Sequence, residues 1–172
     1  MEEKKHRLFV YGSLIKGFDG FENYMQTAEF ISEAYAKGEL RYSFSDYPAM
    51  IVNESNEQYV YGELYFVDDE TLNRIRKYEG SDSCLTCYKE EMIKVKSGSN
   101  VIYAKSFVVS PLKKYLIKFF TFQVPGNNWK AFIENKRKIP IPKPLLLLVG
   151  IVILSSAIWE IFHYLDLEKY LM

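Results

Sequence analysis

An excess of charge of either sign is absent: the 172-residue chain carries 22 Lys plus Arg and 22 Asp plus Glu. Nucleic-acid binding is excluded on that ground, because displacing counterions from phosphates takes surplus basic side chains. Cysteine is scarce as well. Cys84 and Cys87 are the only two, too few for a disulfide scaffold. Their C-x-x-C spacing matches redox motifs or half a zinc site, but no second pair exists and His6 and His163 lie far away in sequence. A closed tetrahedral zinc site needs four ligands, so the pair reads as two ordinary thiols in a loop, with a redox role ranked behind. The opening residues, Met1 to Arg7 (MEEKKHR), lack the apolar segment of a signal peptide, which sets the expectation of a cytoplasmic head. Internal repeats, low-complexity tracts and phosphate-binding glycine loops are missing too.

Apolar material is plentiful by contrast. Fourteen Tyr, 12 Phe and 2 Trp exclude a disordered chain, and the length suits one domain with a substantial core. That material is unevenly spread, since residues 144–172 hold 20 apolar or aromatic side chains out of 29. Charge divides with it: the tail is net −2 and the head net +2. Three segments follow: a domain over 1–135, a basic Pro-containing linker over 136–144, and a hydrophobic C-terminal helix over 145–172.

Within the head, Leu8-Phe9-Val10-Tyr11 reads as a strand running into Gly12-Ser13. A short helix is expected over Phe21–Phe30, then extended segments at Ile31–Tyr42, Ala49–Val52 and Tyr59–Phe66. Asp68-Asp69-Glu70 precedes Leu72, Ile75 and Tyr78, a helix face with a well-charged first turn, and Glu79-Gly80 ends it. Tyr88–Lys96 and Val101–Val109 flank Ser97-Gly98-Ser99-Asn100 as a hairpin. An apolar patch follows at Tyr115–Phe122, and Pro125-Gly126-Asn127-Asn128 supplies turn and N-cap residues for a helix over Trp129–Asn135. Many short strands with few helices indicate a mixed α+β head, its sheet curled into a barrel.

Two places can carry chemistry. Where a strand runs into Gly-Ser, successive backbone N–H groups can turn outward to hold an anion, which singles out Tyr11, Gly12, Ser13 and Leu14, although an ordinary turn looks the same in sequence. Glu79 sits at a helix end between Tyr78 and Gly80. A carboxylate desolvated there would have a raised pKa and work as a general acid or base; the plain alternative is a solvated helix-end glutamate.

Taken in order, Phe9-Val10-Tyr11-Gly12-Ser13-Leu14 with Gly17, Gly38-Glu39-Leu40, Tyr47-Pro48-Ala49, Val60-Tyr61-Gly62-Glu63-Leu64-Tyr65, Tyr78-Glu79-Gly80, Tyr88-Lys89, Ala104 and Gly126-Asn127-Asn128-Trp129 resemble the gamma-glutamylcyclotransferase-like superfamily over residues 6–133. The chain departs from it in having Ile75-Arg76 where Leu-Asp is common. The resemblance implies a small β-barrel flanked by helices, Glu79 as the acid/base and the Tyr11–Leu14 loop as the substrate-binding element. The implied reaction is intramolecular attack of a substrate α-amine on its gamma-glutamyl carbonyl, giving 5-oxoproline and a free amine or amino acid. It needs no cofactor, and the partner is a small gamma-glutamyl amine or peptide. The alternative from another class is a non-catalytic module that binds a gamma-glutamyl or carboxylate ligand at the membrane.

The tail carries no charge from Leu145 to Trp159, and Leu145–Leu165 is 21 residues, the length a helix needs to cross a bilayer core. Lys136, Arg137, Lys138 and Lys143 precede it. By the positive-inside rule they predict a single-pass C-terminal anchor in the lipid bilayer with the head in the cytoplasm. Packing of the same helix on the head or in a dimer is the competing reading; without an anchor the protein would be cytoplasmic.

Overall fold

The computed structural model describes residues 5–42, 47–80 and 88–138. The chain divides into two compact units, Met1–Glu134 and Asn135–Met172; of the second, only the last turn of one helix lies among the described residues. Cys84, Cys87 and the expected C-terminal helix fall outside them.

Strand β1 (His6–Val10) leads into the glycine loop and helix α1 (Asp19–Tyr24). Strands β2 (Glu29–Tyr42), β3 (Pro48–Val52) and β4 (Tyr59–Val67) come next, then helix α2 (Asp69–Glu79). The hairpin β5 (Tyr88–Ser97) and β6 (Asn100–Val109) precedes helix α3 (Lys114–Phe120), the short β7 (Phe122–Gln123) and helix α4 (Trp129–Lys138). The pairings run β2–β4–β1–β6–β5 and return to β2, which closes a five-stranded barrel. All are antiparallel except β1 with β6, so the barrel is mixed, and an α+β barrel is what the sequence leads one to expect.

Strand β2 serves two sheets. Its first part, Glu29 to Lys37, pairs with β4, and from Gly38 to Tyr42 it pairs with β3. The partner changes at Gly38, whose φ of 157° and proximity to Ile51 leave no room for a side chain: a Cβ would lie 2.4 Å from the Ile51 carbonyl oxygen.

Side chains alternate along β1, and each face has its own core. Phe9 and Tyr11 point into the barrel with Ala34, Ala36, Leu40, Leu64, Ile93, Val95 and Trp129. Leu8 and Val10 point outward, where Leu14, Ile15, Met25, Leu72 and Ile75 bring the glycine loop and helices α1 and α2 against the wall. A strand buried on both faces reads as a continuous apolar run, which is what Leu8 to Tyr11 shows.

Helix α2 forms where the sequence places it. Asp68 caps it, its carboxylate accepting a hydrogen bond from the Thr71 N–H at 2.7 Å, and Gly80 ends it in the left-handed conformation at φ 63°. The earlier helix differs from expectation: α1 stops at Tyr24 and the chain is already in β2 at Glu29. No cap or long apolar stripe holds residues 25–30 helical, and Phe30 instead pairs with Tyr65 of β4.

Candidate active site

The chain leaves β1 at Val10 opposite Glu63 of β4, and the turn that follows is built from backbone hydrogen bonds. Ile15 N–H donates to the Gly12 carbonyl at 3.0 Å, and Phe21 N–H to the Ser13 carbonyl at 3.1 Å. Gly20 lets α1 approach this closely, since a Cβ there would meet the Ser13 carbonyl oxygen at 2.6 Å. None of the loop's internal backbone bonds uses the N–H of Gly12, Ser13 or Leu14. Leu14 is buried beneath the loop, and the buried Tyr11 hydroxyl donates to the Phe107 carbonyl and accepts from Met50 N–H. Burial raises the Tyr11 pKa well above that of an ordinary phenol, with Tyr88 and Glu79 as secondary causes, so Tyr11 stays neutral.

A carboxylate that the sequence did not single out supports the loop from behind. Glu63 is only 5% exposed, and its Oε2 accepts from the Lys16 N–H at 3.1 Å and from the Tyr65 hydroxyl at 2.5 Å. Lys130 Nζ stands 3.8 Å from Oε1. A charged group so buried must be paired, and here it is paired with the far end of the glycine loop.

The loop and the end of α2 share one cavity of about 450 Å³. Its wall includes Tyr11, Gly12, Ser13, Leu14 and Glu79, all the site residues expected from sequence, although Glu79 follows Leu14 by 65 positions. Tyr47, Pro48, Tyr78, Tyr88 and Phe107 complete most of the rest. The Ser13 hydroxyl lies 3.1 Å from that of Tyr78, whose ring packs on Tyr24 with centroids 4.4 Å apart. Helix and loop are thereby fixed to each other next to Glu79.

Glu79 is half-buried in this apolar wall, and no cation or hydrogen-bond donor among the described residues reaches its carboxylate. Burial alone pushes its pKa up to about 7. Near neutral pH it is therefore present in both protonation states, the condition under which one group can take and return a proton. Among the described residues no group of three or more His, Cys, Asp and Glu could hold a metal ion.

Two further motif residues hold backbone groups. Asn127 Oδ1 accepts from the Leu40 N–H at 2.9 Å, and Asn128 caps α4 by accepting from the Ala131 N–H at 3.0 Å. Where the superfamily pattern has Leu-Asp, Ile75 is buried and Arg76 holds Glu90 through two contacts of 2.6 and 3.1 Å. Arg76 is thus taken up in a partly buried ion pair.

Residues 8–131 match the family model described as gamma-glutamyl cyclotransferase, AIG2-like. A protein of Methanocaldococcus jannaschii named "Putative gamma-glutamylcyclotransferase" is 40% identical over 73 residues, 42% of this chain and 60% of that protein. Among solved structures, YkqA of Bacillus subtilis superposes with a TM-score of 0.61 at 21% identity, covering 79% of this chain and 44% of its own. An AIG2-like protein of Mus musculus gives 0.54 at 18% identity, covering 63% and 81%. These likenesses establish the barrel; the chain spans less than two thirds of the relative and of the first of the structures.

Proposed function

Because the chain belongs to the gamma-glutamyl cyclotransferase, AIG2-like family, we propose that its barrel domain converts a small gamma-glutamyl amine or peptide into 5-oxoproline and a free amine. The observation that carries this reading is that Glu79, with its pKa near 7, and the Tyr11–Leu14 loop line the same small-molecule-sized cavity. The substrate's α-amine, in its neutral form, attacks the side-chain carbonyl carbon. Glu79 takes the proton that the nitrogen sheds as the new C–N bond forms. It then gives a proton to the leaving nitrogen as the original amide C–N bond breaks, so the carboxylate is regenerated. The Gly12, Ser13 and Leu14 amides hold substrate oxygen, and the ring closure is intramolecular, so positioning contributes much of the acceleration.

The test incubates the protein with a panel of gamma-glutamyl amines and dipeptides and measures 5-oxoproline. Product is expected from at least one of them, with a loss of about 100-fold or more in kcat for Glu79→Gln, which keeps size but removes the ionisable group. Equal product from Glu79→Gln would overturn the assignment of the base. Thermal stabilisation by a gamma-glutamyl ligand without turnover would favour the non-catalytic binding module instead.

We further propose that Leu145–Leu165 anchors the chain in a bilayer with the barrel on the cytoplasmic side. What supports it is the uncharged run behind a basic segment. Among the described residues no helix is long and apolar enough to cross a membrane, so the proposal concerns the tail alone.

A further inference from the structure

Helix α3 and the turns on either side of it are inverted relative to an ordinary surface helix. Leu112, Tyr115, Leu116, Phe119 and Phe122 recur at helical spacing, yet they point outward: Leu112 is 91% exposed, Tyr115 81% and Phe119 82%. Only Ile117 turns inward, against Ala49, Ile51 and Val109. The segment is not loosely attached. Arg41 of β2 donates to the Lys118 carbonyl and to the Thr121 hydroxyl, each at 2.9 Å, and Lys118 pairs with Glu39. The barrel therefore holds the apolar stripe in the outward position, and a contiguous patch of this kind marks an interaction surface.

Its charge identifies the partner. Residues 110–123 contain Lys113, Lys114 and Lys118 and no Asp or Glu. Lys118 is engaged by Glu39, which leaves Lys114 as the cation beside the aromatic and leucine side chains, and that combination suits the headgroup region of an anionic bilayer, where rings enter the acyl boundary and an ammonium group meets lipid phosphate. A symmetric second copy would oppose like charges across the contact. The ring of Tyr42 packs on both Phe122 and Phe132, with centroids 6.0 and 4.7 Å away, so the aromatic surface continues from the patch to the start of α4.

We propose that the α3 face docks flat on an anionic membrane surface as a second, peripheral contact besides the tail. The inference is independent of the cyclotransferase chemistry and would survive its failure. It is tested by amide hydrogen exchange on the full chain with phosphatidylcholine vesicles, with and without phosphatidylserine. Exchange across residues 112–122 is expected to slow about tenfold when phosphatidylserine is present, while β6 exchanges at the same rate in both. Lys114→Glu and Phe119→Ser should each remove the slowing and leave β6 unchanged, which separates lost docking from lost folding. Identical exchange in the two vesicle types would overturn the proposal. So would slow exchange already present without lipid, which means a second copy covers the face if it rises with protein concentration, and the chain's own tail if it does not.

Discussion

Glu79 is a carboxylate whose environment works against its charge, and this has consequences for both rate and stability. Its pKa of about 7 arises from burial alone, so the folded state binds a proton that the unfolded chain has already released in the range between about 4.5 and 7. Stability from this group is fully present below pH 4.5 and is lost as pH rises through 7, by at most about 3 kcal/mol. Glu79→Gln is therefore expected to melt at a higher temperature than wild type at pH 8 and at about the same temperature at pH 4. Scanning both proteins across that range checks the sign. In the proposed reaction catalysis runs the other way: only the ionised carboxylate could accept the amine proton, so kcat/KM should climb through pH 7. A rate flat from pH 5.5 to 8.5 would remove Glu79 as the base. Activity and stability thus oppose each other at one side chain, as expected where a fold sustains a functional group in an unfavourable place.

Glu63 acts at one remove. It touches the Lys16 amide and does not line the cavity, which makes loop positioning its expected part. Tyr65→Phe deletes the hydroxyl that shares Oε2 and leaves the carboxylate in place. If loop placement governs substrate binding, Glu63→Ala should raise KM several-fold and leave the pKa of the pH–rate profile near 7, with Tyr65→Phe in between. A profile that shifts with KM unchanged would mean Glu63 acts on Glu79 electrostatically instead.

At the scale of elements, what is legible in the sequence is what local chemistry determines. Helix α2 carries its own start and stop in Asp68 and Gly80, and the β5–β6 hairpin its own turn, with Ser97 paired to Asn100 and Gly98 at φ 59°. Phe21–Phe30 has no such punctuation, and long-range pairing with β4 claims Phe30. The patch at Tyr115–Phe122 shows a different limit. Apolarity and period are written in sequence, but the side of the helix that faces the barrel is decided from elsewhere, by Arg41 of β2 and by the Ala49, Ile51 and Val109 surface that takes Ile117. Glu63, Tyr78 and Tyr88 are likewise invisible as site residues, because a strand carboxylate and strand or helix aromatics look like ordinary wall and core positions. The Asp68 cap makes a measurable case. Its hydrogen bond from Thr71 lowers its pKa, so the bond stabilises above the ordinary carboxylate range and is lost as pH falls. Asp68→Ala should lower stability by about 1 kcal/mol at pH 7, and the difference from wild type should shrink as pH falls below the ordinary carboxylate range, checked by denaturant melts. Because α2 delivers Glu79, the same variant should reduce activity more than binding of a carboxylate ligand to the glycine loop.

For the whole molecule, barrel closure and the tail answer different questions. Closure explains why two signals 65 residues apart meet: β1 carries the glycine loop, β4 flanks it, and α2 follows β4 directly, so Glu79 returns to the mouth that Tyr11 opens. Nothing in that arrangement requires a membrane. The proposed anchor rests on the tail's zero-charge run: as a helix its backbone would be satisfied inside lipid, and the lysines before it would set which side the barrel occupies. The two proposed attachments differ in strength: a spanning helix would be held by the hydrophobic effect alone, and the α3 face by shallow aromatic insertion together with lysine–phosphate attraction. High salt or alkaline carbonate should strip only the second. Full-length protein is therefore expected to stay with membranes through carbonate extraction, and a chain ending at Lys143 to be released by salt, since screening weakens its lysine contacts. Release of the full-length protein by carbonate would assign Leu145–Leu165 to packing against protein. In that case the substrate pool available to the barrel would be set by diffusion through the cell and not by the lipid surface.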